Sequence, residues 1–132
     1  MIDKSNEVFN AVATQLRAKF KPITVVGEYV SVPAKFPCVS VDETYNVPVH
    51  MDSAVHNKYA RVRYRLQVFS NLDAGKRAQA RAIYDVADRV MHSLGLYAQS
   101  YTTMPTQYNS PIYTITVSYE GVIDENGVIY RN

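Results

Sequence analysis

The sequence predicts an α+β fold: a mainly antiparallel sheet with two helices packed on one face, plus a short C-terminal hairpin. Three observations lead there. Two stretches, residues 5–20 and 74–94, carry apolar side chains at helical spacing. Residues 59–69 read as a strand, with apolar and polar side chains alternating from Ala60 to Val68. Helices and strands also fail to alternate as βαβ units, and no internal repeat is present.

The first helix places Val8, Phe9, Val12, Leu16 and Phe20 on one side, with Asp3 or Ser5 able to cap its start. Arg17, Lys19 and Lys21 suit the negative end of its dipole, and Pro22 cannot continue it. Residues 23–30 are β-branched around Gly27, which suggests short strands joined by a bulge or tight turn. Residues 38–45 read as a strand with Val39, Val41 and Tyr45 on one face. Residues 46–58 (NVPVHMDSAVHNK) have no period and contain Pro48, so an exposed connection is expected.

The alternating strand at 59–69 sets Val62, Tyr64, Leu66 and Val68 against Arg61, Arg63, Arg65 and Gln67. Asn71-Leu72-Asp73 should then open the second helix, capped by Asp73, with Ile83, Val86, Ala87, Val90 and Leu94 as its apolar stripe before Gly95. Arg81, Asp85 and Arg89 fall on its solvent side. Residues 97–103 look extended, and Asn109-Ser110-Pro111 marks a turn. Tyr113, Ile115, Val117 and Tyr119 then alternate with Thr114, Thr116, Ser118 and Glu120, giving an antiparallel pair with a wide loop. Asn126-Gly127, between apolar runs, predicts the terminal hairpin as an extension over residues 121–132.

At 132 residues and 47% hydrophobic content, residues 1–132 should form one domain with an adequate core. No run approaches the roughly 20 apolar residues of a membrane span, and the N-terminus lacks a basic flank followed by an apolar run, so no membrane partner and no export are expected. The single Cys38 excludes an intrachain disulfide framework and fits synthesis in the cytoplasm. Net charge is only +2, short of a dedicated nucleic-acid binder. The aromatic residues are informative: eleven Tyr, four Phe and no Trp favour half-wet protein contacts.

No chemistry-bearing constellation emerges. The five glycines are too scattered for a phosphate-binding loop. His50 and His56 share a loop with Asp52, but a metal needs three or four converging donors, and solvated side chains are the simpler reading. Cys38 beside Pro37 reads as a small buried residue rather than a nucleophile. The neighbours Asp42 and Glu43 point to opposite sides of an extended chain, and Asp85 and Asp88 fit a solvated helix face. No catalytic residue, cofactor or metal is expected.

Arg61, Arg63 and Arg65 stand about 7 Å apart along one strand face. They could follow phosphates, in a small nucleic-acid-binding domain that also uses Tyr59 and Tyr64. The alternative is a solvent-facing strand side or a salt-bridged subunit contact, which the modest basic excess favours.

The order of elements, with Phe36-Pro37-Cys38-Val39-Ser40-Val41, the strand ending Leu66-Gln67-Val68-Phe69, the helix stretch at 82–91 and the late strand at 113–120, resembles the tail terminator and tail-completion proteins of long-tailed, lambda-like bacteriophages. The resemblance covers approximately residues 8–120; the hairpin after Gly121 departs from it. It implies a non-enzymatic virion subunit, made in the host cytoplasm, that forms a six-fold ring on the tail tube. Such a ring stops tube growth and offers the surface to which the filled head docks. The implied partners are further copies of the chain, the tail tube protein and a head-completion or connector protein. A head-tail joining or minor tail-completion protein is the neighbouring alternative. A ring contact is heterologous and needs two complementary patches. Tyr45, His50, Met51, His56, Arg61, Arg63 and Arg65 are the expected partner or subunit contacts.

Overall fold

The computed structural model describes residues 5–29, 33–49, 59–72, 74–105, 112–124 and 129–130. Its elements run α1 (Ser5–Lys19), β1 (Thr24–Val26), β2 (Cys38–Val49), β3 (Tyr59–Ser70), α2 (Lys76–Ser93), β4 (Tyr97–Pro105), β5 (Tyr113–Asp124) and β6 (Ile129–Tyr130). All six strands belong to one sheet, ordered β1-β2-β3-β5-β4, with β6 on β5. Among the described residues, only β1 and β2 run parallel; the remaining pairs are antiparallel. This is the α+β architecture expected from the sequence.

Strand alternation sorts the apolar residues to the face that meets the helices. Val39 and Val41 of β2, Val62, Leu66 and Val68 of β3, and Ile115, Val117 and Ile123 of β5 form the sheet side of the core. Val8, Val12, Ala13 and Leu16 of α1 and Ala80, Ile83, Ala87 and Met91 of α2 close it from above. Full burial of each large aliphatic side chain contributes about 1.5–3 kcal/mol. Phe9 and Phe20 pack at the rim of this cluster. None of the described helices is long and apolar enough to cross a membrane.

Four elements differ from the expectations. First, β2 continues through Asn46, Val47 and Pro48 to Val49, where an exposed connection was expected. The twelve-residue β3 supplies it with partners as far as Tyr59, and Pro48 is tolerated because no described strand needs an N–H from that outer edge. Second, a bulge between Glu43 and Tyr45 adds one residue to β2. Tyr45 therefore leaves the face of Val39 and Val41 and joins that of Arg63.

Third, α2 begins at Lys76, with Gly75 at the cap position, φ 90°, and no side-chain cap; Asp73 lies outside the described residues. A positive φ costs an L side chain free energy that glycine avoids. Its buried stripe is Ala80, Ile83, Ala87 and Met91, while Val86, Val90 and Leu94 are half-buried against it. Fourth, β5 runs unbroken through Gly121, so the terminal hairpin is formed by its last residues: Val122 pairs with Tyr130 and Ile123 with Ile129. Asn126 and Gly127 lie outside the described residues.

Candidate partner-binding face

Because Val62, Tyr64 and Leu66 turn toward the helices, Arg61, Arg63 and Arg65 must turn to the opposite face. Register then chooses their neighbours. Arg65 lies between Asp42 of β2 and Ser118 of β5, Arg63 between Tyr45 and Glu120, and Arg61 between Val47 and Val122.

The first pair is bidentate. Arg65 Nε donates to Asp42 Oδ1 at 3.1 Å and Nη2 to Oδ2 at 2.6 Å, the geometry in which a guanidinium holds a carboxylate most firmly. Glu120, with a side chain only 8% exposed, is shared among several donors. Arg63 Nη2 donates to its Oε1 at 3.4 Å, and Arg61 Nε stands 3.9 Å from that oxygen. Its Oε2 accepts from the Tyr97 hydroxyl at 3.3 Å and from Gln99 Nε2.

Two tyrosine rings complete the face. The Arg65 guanidinium carbon lies 4.4 Å from the centre of the Tyr29 ring, and that of Arg63 lies 5.2 Å from the Tyr45 ring. Tyr45 and Val47 are each 40% exposed. Arg63 Nε is buried without a hydrogen-bond partner among the described residues. The result is a stiffened patch of three guanidiniums, two carboxylates and exposed aromatic edges.

Further along the same strands the face is buried. Ser40 Oγ donates to Gln67 Oε1 at 2.9 Å, and Cys38 is 2% exposed. Burial pushes the Cys38 thiol up, away from the thiolate a nucleophile needs.

A second polar cluster lies where α2 crosses β5. Asp88 Oδ1 accepts the Tyr119 hydroxyl at 2.6 Å and the Tyr84 hydroxyl at 3.3 Å, with His92 Nε2 at 3.4 Å. Burial first, and then the Asp88 hydrogen bond, push the Tyr119 phenol above its ordinary range. Tyr84 is raised as well, mainly by burial and by the charge of Asp88. Asp88 is thus an anchor under the helix rather than part of a solvated face, whereas Asp85 is exposed as expected. The described residues contain no group of three His, Cys, Asp or Glu able to hold a metal ion.

Of the contacts expected from the sequence, Tyr45, Arg61, Arg63 and Arg65 come together on one face; His50, Met51 and His56 lie outside the described residues. Sequence reasoning missed Asp42, Glu120, Tyr29, Tyr97 and Gln99 as the groups that hold the arginines. Their polar parity was visible, but the register that brings them to Arg63 and Arg65 was not.

Residues 7–111 match the model of a family described as tail completion protein gp17. A solved structure described as "Virion of native gene transfer agent (GTA) particle" matches with a TM-score of 0.52 and 18% identity, over 84% of this chain and 90% of that one, which is a likeness of fold. No curated protein matches. With the family model spanning most of the helix-on-sheet unit, the chain belongs to the tail completion protein gp17 family and is a structural component of a phage tail.

Proposed function

We propose that the chain, as one domain over residues 1–132, assembles into a hexameric ring on the end of the tail tube, stops tube growth and presents the surface to which the filled head docks. It acts through complementary surfaces rather than chemistry, after synthesis in the host cytoplasm. Its partners are further copies of itself, the tail tube protein and a head-completion or connector protein. Family membership supplies the tail context. The observation that carries the reading is the sheet face on which Tyr45 and Arg63, and Tyr29 and Arg65, stand together.

Tyr and Arg are the residue types that dominate binding hot spots, and pre-ordered side chains lose less entropy on docking. The contact set is Tyr45, Arg61, Arg63 and Arg65, with His50, Met51 and His56 from the segment that follows β2. A nucleic-acid role for the stripe is less well supported. Asp42 and Glu120 offset two of the three positive charges where phosphates would sit.

The test is binding of purified tail tubes by Tyr45→Ala and Arg61→Ser, two exposed positions whose loss leaves the core intact. Each variant should bind tubes at least tenfold more weakly, about 1.4 kcal/mol, with an unchanged thermal midpoint. Full tube binding by both would remove this face from the contact, and strong, salt-sensitive DNA binding by the wild type would favour the nucleic-acid reading.

A further inference from the structure

Three features of the sheet edges belong together. Among the described residues, β1 pairs with Cys38–Ser40 of β2 alone, so residues 41–49 have no described strand on their outer side. At the other end of the sheet, β4 is the last strand along the path, nine residues long and without a charged side chain. Natural edge strands are commonly blunted by lysine or other charges; β4 lacks that device, although a bulge between Ala98 and Ser100 interrupts its first half. The third feature is where exposed apolar side chains occur. Among the described residues, those on strands are Tyr45 and Val47 of β2, 40% exposed each, and Tyr101 of β4, 42% exposed.

Strand direction supplies the geometry. Since β2, β3, β5 and β4 pair antiparallel in succession, β2 and β4 point in opposite directions. A second copy set beside the first by rotation about an axis along the strands brings its β4 against β2 antiparallel, with no subunit inverted. The two edges differ, so the contact is heterologous and repeats around a closed ring. On β2, Asp42 and Glu43 are already engaged within the subunit, by Arg65 and Tyr64, and leave the backbone edge clear of competing charge.

Resting on the ring reading above, we propose that neighbouring subunits join by strand addition, the β4 edge of one copy pairing with the outer edge of β2 in the next. The occupant of each edge is a second copy of this chain. Pro48 has no N–H to offer, so the ladder forms on residues 41–47. Tyr45 and Val47 then pass from solvent into the joint.

Two sets of variants of the full chain test this. Ser100→Lys combined with Thr102→Lys puts charge on two exposed positions of β4. Ring formation, alone or on tail tubes, should weaken at least tenfold while the circular dichroism spectrum stays that of the wild type. In a Cys38→Ser background, Tyr45→Cys with Tyr97→Cys, two positions at one height and on one face of the sheet, should give an intermolecular disulfide ladder on oxidation, and each single cysteine should give none. A ring unaffected by the lysines overturns the proposal. So does a dimer formed by Tyr97→Cys alone, which would indicate β4 pairing with itself about a two-fold axis. If the wild type forms no ring even on tubes, the ring reading itself fails, a result separable from wild-type rings that tolerate the lysines.

Discussion

Glu120 and Tyr119 are successive residues of β5 that serve opposite faces of the sheet. Glu120 is nearly buried and receives Arg63, Tyr97 and Gln99, with Arg61 close by. Removing its carboxylate strands several donors at once, so Glu120→Ala should destabilise the fold by about 2 kcal/mol in urea denaturation and loosen the arginines of the open face. Tyr119 is fully buried and donates to Asp88 beneath α2. Tyr119→Phe leaves Asp88 without its shortest donor and should cost about 1 kcal/mol. The pH dependence has a definite sign. The phenol is held above its ordinary value of 10.0 in the folded chain, so above that pH the unfolded chain sheds a proton that the folded chain keeps. The stability this group contributes is complete below pH 10.0 and declines as pH rises beyond it. Denaturation midpoints from pH 8 to about 11 should fall less steeply for Tyr119→Phe than for the wild type.

At the level of elements, Gly75 begins α2 in the left-handed region without help from a side-chain cap. Nothing crowds its missing Cβ, so the cost of Gly75→Ala is conformational alone, about 1 kcal/mol, readable as a lower thermal midpoint. The same helix shows what the sequence could and could not tell. Its apolar period was legible, but the competition between Asp73 and Gly75 for its start was not, because a backbone conformation leaves little trace in composition. The strict alternation from Ala60 to Val68 made β3 and its arginine face legible. β2 was harder: Pro48 and the unpatterned residues around it read as loop, and only β3 as a partner makes them a strand. The bulge that moves Tyr45 to the arginine face is likewise a property of the pair. The arginines of the candidate face were therefore readable in advance, whereas Tyr45's place beside them, and the acids and Tyr29 that hold them, were not.

For the whole molecule, the two faces of the sheet divide the work. One is covered by both helices and holds the core; the other carries arginines fixed by acids and tyrosines, between two sheet edges of different character. A subunit with distinct edges is suited to heterologous, repeating contact, and an open face beside those edges can meet a tube or a head-side partner. The tail completion family places such a subunit in a phage tail. On the tube, the arrangement proposed for this subunit is a closed ring. The most direct measurement is the solution mass of the protein by light scattering across concentration, alone and with purified tail tubes. A discrete ring of six copies is expected, formed alone or only on tube ends, with tubes that no longer elongate once it is bound. A monomer at every concentration that neither binds tubes nor halts their growth would contradict it.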